Sequence, residues 1–251
     1  MIENNKMVRL ISYSVPSPEL IQEGVGDVQE LIAFCARVSN PSNQFNTETS
    51  EKLINYLIKH KHWSPMEMAS ACLEINTTRD IARQILRHRS FSFQEFSQRY
   101  ADPTKDLTFI LREARLQDLK NRQNSIEVDD PLLNSNWLMY QEDIRDITLK
   151  AYNWAIQNGI AKEVARAVLP EGLISSRMYM QGTIRSWIHY IETRTDISTQ
   201  KEHREIALLC ANEIAKIMPQ IFNFVSQNKT VNIGVQIDNK PEIKISEWIG
   251  L

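Results

Sequence analysis

A long run of helical hydrophobic periodicity, residues 133–158, constrains the fold of this chain more than any other feature, and Gly159 ends it. Shorter segments with helical spacing predict helices at 27–38, 47–61, 79–89, 162–169, 183–193 and 199–222. Alternating or β-rich segments predict strands at 8–14, 69–78 and 173–179, with a further candidate at 107–111. These elements favour an α+β fold, rich in helix, with a small antiparallel or mixed sheet.

The domain organisation is inferred from the length of the chain and from the absence of segments that would separate domains. The 251 residues suit one large domain or two small ones, and no internal repeat, low-complexity tract or clear linker divides them. We therefore predict a single domain over residues 1–251. Its last part, residues 223–251, is a C-terminal tail of unassigned role, in which residues 230–251 suggest an extra strand or an arm on a neighbouring subunit.

Charge and hydropathy exclude several classes of protein. The chain has 29 Lys and Arg against 31 Asp and Glu, so no bulk basic field attracts nucleic acid, and any anion site must be local. No apolar run approaches the ~18–20 residues that span a bilayer, and the polar start, Met1 to Lys6, lacks a signal-peptide core. We expect a protein without a membrane partner and without a nucleic-acid partner.

Three dispersed cysteines, Cys35, Cys72 and Cys210, form no CxxC pair. An odd and scattered count indicates reduced thiols in a cytoplasmic protein. It excludes a disulfide framework and a zinc ribbon, and we predict no metal site.

The segment Arg79 to Tyr100 is unlike the rest of the chain, because it holds five arginines and no lysine. Guanidinium groups form paired hydrogen bonds with phosphates and carboxylates. In a helix, Arg79, Arg83 and Arg87 share one face and repel each other, so an anion or an acidic partner is expected there. The alternative is a solvated basic face with one internal salt bridge to Glu95.

Beyond Arg89 the period changes from helical to two residues, since Phe91 and Phe93 alternate with small or polar side chains. This predicts an extended segment with a polar strip that includes Ser92, Gln94 and Gln98. Beside arginines, such a strip suits the edge of a base or a sugar. The alternative is an ordinary strand with a polar face.

Arg87-His88-Arg89, followed after seven residues by Ser97, resembles the RHRx7S signature of the flavin-dependent thymidylate synthases, the ThyX family. Further resemblance lies in Ala36-Arg37-Val38-Ser39, in His62-x-Ser64-Pro65-x-Glu67, in Arg166-x-x-Leu169-Pro170 and in the segment Arg185 to Arg194. Together these segments cover residues 8–222, except for residues 116–136.

The resemblance implies a ThyX-like fold and a methyltransferase that converts dUMP to dTMP. It implies FAD as the cofactor, NADPH and methylenetetrahydrofolate as co-substrates, and a homotetramer with active sites built from several subunits. The residues implied for dUMP are Gln84, Arg87, Glu95, Phe96, Ser97, Gln98, Arg99, Arg166 and Arg194. Those implied for FAD are Ser39, Ser64, Arg87, His88, Arg89, Glu95, Thr183, Ile184, Arg185 and His189.

Arg194 is the implied catalytic residue, matching the family arginine that lies near the uracil ring. A guanidinium there stabilises the anion formed when N3 loses its proton, which raises electron density at C5 without an enzymic thiolate. Nine positions separate Arg185 from Arg194, about 2.5 helical turns, so in one straight helix they face opposite ways. Either the helix ends near Thr193, or the two arginines serve different pockets or subunits, whereas Arg185 and His189 can touch one ligand.

Other functions fit less well. A helical di-iron protein needs Glu-x-x-His pairs, and none of the five histidines has Glu three positions earlier. A folate-dependent flavoprotein that methylates tRNA needs a dinucleotide-binding fingerprint, which Gly24-Val25-Gly26 does not begin. A module that binds nucleotides or RNA without chemistry remains an alternative, because it would use the same arginines.

Overall fold

The structure is a computed structural model, and it describes residues 7–226. Within these residues the α-helices are α1 (Pro18–Gln22), α2 (Val28–Ala36), α3 (Ser50–Lys59), α4 (Arg79–Ile85), α5 (Pro103–Asp106), α6 (Pro131–Gln157), α7 (Lys162–Ala165), α8 (Ile184–Arg194) and α9 (Lys201–Ala215). The strands are β1 (Val8–Tyr13), β2 (Ser70–Thr78), β3 (Ser92–Glu95), β4 (Arg115–Gln117), β5 (Ser125–Glu127) and β6 (Ser175–Thr183). The predicted helix-rich α+β class is confirmed, and the predicted tail lies outside the described residues apart from its first four.

Four strands form a sheet in the order β1-β2-β6-β3, and β4 and β5 form a separate antiparallel pair. Strand β1 runs antiparallel to β2, since Ser14 N–H donates to the Ser70 carbonyl and Asn76 N–H donates to the Met7 carbonyl. The strand expected at 107–111 is reduced to one antiparallel bridge between Phe109 and Ile174.

The chain divides into two compact units, and the single domain predicted over 1–251 stays a prediction. Of the described residues, unit one contains 7, 74–180 and 198–203, and unit two contains 8–73, 181–197 and 204–226. Each of the strands β2 and β6 has one part in unit one and its other part in unit two.

In unit one, helix α6 supplies much of the apolar packing. The Asp130 side chain accepts a hydrogen bond from Leu133 N–H and so caps its start, while Gly159, with a φ of 75°, follows its end. Tyr152 and Ala155 of this helix pack with buried Leu169 and Ile174. The long helix predicted from the sequence is confirmed.

In unit two, helix α8 is held in place by buried side chains. Trp187 is fully buried, and its indole N–H donates to the Ala71 carbonyl over 3.1 Å. Ile188 and Ile191, on the same helix, are also fully buried. At the helix start, Thr183 Oγ1 accepts a hydrogen bond from Ser186 N–H.

Candidate active site

The predicted site residues fall into two groups. Those from Gln84 to Arg99, together with Arg166, belong to unit one. Unit two contains the others, Ser39, Ser64, Thr183, Ile184, Arg185, His189 and Arg194.

In unit one, the arginines that were expected to share a helix face divide into two kinds. Arg79 is 8% exposed, with its Nη1 atom 3.5 Å from Glu95 Oε1 and its Nε atom 3.5 Å from Glu171 Oε1. Arg83 also pairs with Glu171, over 3.0 Å. The acidic partners expected for this face are therefore Glu95 and Glu171, and both arginines of α4 have internal roles.

Arg87 does not share that face, because α4 ends at Ile85 and the chain turns through 86–90. The expectation of a helix to residue 89 is wrong. Arg87 and Arg89 are exposed on this turn, and neither has an ion-pair partner in the part of the chain that the structure describes. Two cations displayed together without acids are suited to an anionic ligand.

Gln84, on the last turn of α4, belongs to a chain of hydrogen bonds. Its Nε2 atom donates to Gln200 Oε1 over 2.8 Å, and Gln200 Nε2 donates to Glu202 Oε2 over 2.9 Å. His203 Nδ1 lies 3.2 Å from Gln84 Oε1, and the ring nitrogen is the donor because a carbonyl oxygen only accepts. These contacts fix the orientation of the Gln84 amide. Neither Gln200 nor His203 was predicted from the sequence.

Strand β3 presents Glu95 at its end, and the segment after it forms a tight turn. Glu95 Oε1 accepts a hydrogen bond from Ser176 Oγ over 2.8 Å, in addition to its contact with Arg79. Ser97 Oγ accepts from Arg99 N–H, and Phe96 N–H donates to the Arg177 carbonyl over 2.8 Å. The predicted extended segment is thus confirmed as a strand of the sheet.

Gln98 is 4% exposed, and its Nε2 atom is buried without a hydrogen-bond partner among the described residues. A buried amide nitrogen without a partner costs free energy, so this donor is suited to a ligand oxygen. The nucleotide role implied for Gln98 stays a prediction.

Glu163 brings together two of the predicted substrate arginines. Its Oε2 atom lies 3.2 Å from Arg99 Nη2, and its backbone carbonyl accepts a hydrogen bond from Arg166 Nε over 3.2 Å. The side chains of Arg99 and Glu163 are 57% and 54% exposed, so the contact is open to solvent and weak. An anion of higher charge can replace the carboxylate. No pattern in the sequence marked Glu163.

A cluster of charges beside the Gln84 chain, here called the Arg112 cluster, contains Asp80, Arg112, Arg115 and Glu202. Arg112 donates two hydrogen bonds to the Asp80 carboxylate, over 2.9 and 2.7 Å, and Arg115 pairs with Glu202. Burial alone would raise the pKa of Asp80, but hydrogen bonds from Arg112 and Thr78 lower it below its ordinary value. Burial likewise opposes ionisation of Glu202, yet its hydrogen bonds and both arginines lower its pKa.

In unit two, helix α8 carries Arg185 and His189 one turn apart. Arg185 pairs with Glu67, and both side chains are 42% exposed. The His189 ring lies 5.4 Å from the Trp63 ring, and its Nδ1 atom is 3.9 Å from Glu192 Oε2. A guanidinium and an imidazole on one exposed face are donors suited to phosphate oxygens.

The remaining residues implied for FAD differ in whether their polar groups are accessible to a ligand. Ser39 and Ser64 are exposed, one after the end of α2 and the other at the start of a short 3-10 helix. Thr183 is occupied as the cap of α8. Ile184 is fully buried and its N–H donates to the Ala69 carbonyl, so neither its side chain nor its N–H is open to a ligand.

Arg194 is the last residue of α8, so the helix includes both Arg185 and Arg194 and they lie on opposite faces of it. That they serve different pockets or subunits stays a prediction. Tyr190, one turn earlier, is buried, and burial raises its pKa well above the ordinary value, against a smaller opposing effect of the Arg194 charge. The phenol therefore stays neutral and does not cancel that charge.

All three cysteines are free, and none belongs to the sets above. Burial raises the pKa of Cys35 and Cys72 and, most strongly, that of Cys210. A raised pKa keeps a thiol protonated and poorly nucleophilic.

No helix within residues 7–226 is both long and apolar enough to cross a bilayer. In the same range, no three His, Cys, Asp or Glu side chains gather as a candidate metal site.

The family model described as thymidylate synthase complementing protein matches residues 19–220. A protein named "Probable flavin-dependent thymidylate synthase" from Paramecium bursaria Chlorella virus 1 is 48% identical over 213 residues, which cover 85% of this chain and 95% of the relative. A flavin-dependent thymidylate synthase from Synechocystis is 47% identical over 215 residues, covering 85% and 96%. One from Kosmotoga olearia is 35% identical over 176 residues, covering 70% and 76%.

The matched range, residues 19–220, includes the helices and strands that carry these arginines. The chain belongs to the flavin-dependent thymidylate synthase family, and it is an enzyme of the methyltransferase class.

Proposed function

We propose that this enzyme converts dUMP to dTMP by reductive methylation, as a homotetramer, with FAD as cofactor, methylenetetrahydrofolate as carbon donor and NADPH as reductant. The observation that carries the proposal is the meeting of Arg99 and Arg166 at Glu163, which are brought together although they are distant in sequence. Both guanidinium groups contact Glu163, one its carboxylate and the other its backbone carbonyl, and guanidinium groups form paired hydrogen bonds with phosphate.

In this proposal, Arg99 and Arg166 bind the nucleotide phosphate and displace the weak contact with Glu163. Arg87 adds a third cation from the exposed turn after α4. Gln98 donates its unpartnered amide to a ligand oxygen, and the Gln84 amide, held by Gln200 and His203, is oriented in advance. Orientation in advance lowers the entropy lost on binding.

Arg194 acts on the uracil ring. Its positive charge stabilises the anion that forms when N3 loses its proton, which makes C5 more reactive towards the incoming carbon.

The residues of unit two fit a flavin dinucleotide by the chemistry of their donors. Arg185 and His189 offer a guanidinium and an imidazole one turn apart, and Ser39 and Ser64 offer exposed hydroxyl groups. Arg87, His88, Arg89 and Glu95 are proposed for the same cofactor. When bound, FAD supplies the hydride, and the protein supplies position and charge.

No cysteine acts as a nucleophile in this proposal. The support is the burial of the thiols, which raises the pKa of all three.

The test is the visible spectrum of the purified full chain, with and without dUMP, followed by NADPH oxidation and dTMP formation. We expect flavin absorbance and NADPH oxidation that dUMP stimulates. Arg99→Gln should weaken dUMP binding, whereas Arg145→Gln, on an exposed pair in α6, should not. Absence of flavin absorbance under both conditions overturns the proposal, and dUMP binding without NADPH oxidation indicates a binding module instead.

A further inference from the structure

Four side chains of unit one form a continuous chain of hydrogen bonds, here called the Glu202 chain. Glu202 Oε2 accepts from Gln200 Nε2 over 2.9 Å, and Gln200 Oε1 accepts from Gln84 Nε2 over 2.8 Å. Gln84 Oε1 lies 3.2 Å from His203 Nδ1. The His203 ring is fully buried and lies edge to face with the ring of His88, with 6.4 Å between the ring centroids. The chain therefore begins in the Arg112 cluster, includes one residue implied for dUMP and ends beside one implied for FAD.

Glu202 is held as a charged group at the first end of this chain. Its other oxygen, Oε1, pairs with Arg115 and lies 3.9 Å from Arg112 Nε. It also lies in the first turn of α9, where the helix dipole favours a negative charge. Burial opposes ionisation of Glu202, yet its hydrogen bonds and both arginines lower its pKa. The carboxylate is therefore charged at neutral pH and only accepts hydrogen bonds.

The other members of the chain have no fixed hydrogen-bonding direction of their own. A glutamine amide can turn over, and a neutral imidazole can carry its proton on either nitrogen. If the Gln200 amide turned over, its oxygen would face Glu202 Oε2, acceptor against acceptor. If the Gln84 amide turned over, its oxygen would face Gln200 Oε1 in the same way. Gln200 therefore donates to Glu202, Gln84 donates to Gln200, and His203 carries a proton on Nδ1.

We propose that Glu202 is a positioning residue for the substrate site, because its charge fixes both the direction of the Gln84 amide and the proton on His203 Nδ1. An amide has two N–H groups and two oxygen lone pairs, and the described residues fill one of each in Gln84. A turned amide would exchange donor and acceptor, and a ligand would meet the wrong partner. The role towards dUMP rests on the proposed function, whereas the position of the proton does not.

The first test is the position of the His203 proton in the full chain without ligands. Solid-state ¹⁵N NMR of protein labelled at histidine distinguishes protonated from unprotonated ring nitrogens, and the His203→Gln variant assigns the resonances. In Glu202→Gln the new amide has to turn its oxygen to Arg115, which only donates, and its NH2 group to Gln200. Both glutamines of the chain would then turn over. We expect His203 Nδ1 to change from protonated to unprotonated.

Glu113→Gln is the matched control. Glu113 pairs with Lys201, which lies between Gln200 and Glu202 in the sequence, and its side chain is 27% exposed against 21% for Glu202. In this variant the proton should stay on His203 Nδ1. A proton that also stays on Nδ1 in Glu202→Gln overturns the proposal.

Gln200→Leu tests the chain even if Glu202→Gln does not fold, because it leaves Glu202 with its arginines. The Gln84 amide is then able to face either way, so we expect two forms of His203, one with the proton on each ring nitrogen. A single form, protonated on Nδ1, overturns the proposal.

The last test is dUMP binding, measured by isothermal titration calorimetry. Glu202→Gln should weaken it about tenfold, because a turned Gln84 amide leaves a ligand group without its partner, and Glu113→Gln should not change it. Unchanged binding by Glu202→Gln, with the proton moved, overturns the positioning role. Absence of dUMP binding by the unmodified chain is instead a failure of the proposed function, and the NMR comparison still decides whether Glu202 directs the chain.

Discussion

The Arg99 guanidinium lies 3.2 Å from the Glu163 carboxylate, at the point where Arg166 also contacts the backbone of Glu163. This carboxylate competes with any anion for the Arg99 guanidinium. An exposed ion pair contributes only about 0.2–1 kcal/mol, so the competition is weak.

Glu163→Gln should therefore strengthen dUMP binding about two- to fivefold at low salt, with a smaller effect at high salt. Isothermal titration calorimetry would measure the change. Asp146→Asn removes the partner of another arginine, the half-buried Arg145, and is the control without an expected effect. Weaker binding in Glu163→Gln would mean that the carboxylate orients the arginines instead of competing for them.

Arg79→Ala should lower the free energy of unfolding by about 2 kcal/mol, because it leaves the half-buried Glu95 without its cation. Arg83→Ala should change it by less than about 0.5 kcal/mol, since the Arg83 side chain is 52% exposed. Urea denaturation would compare the two. Equal losses would contradict the internal role assigned to Arg79.

Arg194→Ala should lower turnover by at least about a hundredfold, as for removal of one charge-stabilising donor. The fold and the flavin content should remain, as measured by circular dichroism and visible absorbance. Arg145→Ala is the control for loss of an arginine elsewhere. Normal dTMP formation by Arg194→Ala would show that another group stabilises the uracil anion.

Stability should fall in acid through the Arg112 cluster. The pKa values of Asp80 and Glu202 are lowered in the folded state, so their contribution is complete above the ordinary values, 3.8 and 4.5, and is lost as pH falls through the lowered ones. Denaturation between about pH 6 and pH 2.5 should show this loss, and Asp80→Asn should reduce the slope. An unchanged slope would contradict the paired state of Asp80.

Replacing all three cysteines by Ser should preserve methylation. The physical reason is the raised pKa of each thiol, which leaves little thiolate for attack. Single-turnover dTMP formation would measure it. Complete loss in a folded, flavin-loaded variant would indicate thiol chemistry.

The elements with strong periodicity were predictable from the sequence, and the contacts between them were not. Helices α6 and α8 and strands β1 and β2 lie within a few residues of their predicted bounds, because apolar spacing and caps act locally. Helix α4 ends four residues early, since the alternating segment after it joins the sheet as β3. The β4–β5 pair was missed because both strands are short and largely polar.

The candidate site shows the same division. The motif located Arg87 and Arg99, but Glu163 contacts Arg99, and His203 contacts Gln84, through tertiary packing that no local pattern encodes.

The burial of the sulfur atoms has a consequence for inhibition. Alkylating agents react with thiolates, and a raised pKa leaves Cys35, Cys72 and Cys210 with less thiolate than an ordinary cysteine has. Covalent inhibition through these three thiols is therefore expected to be slow.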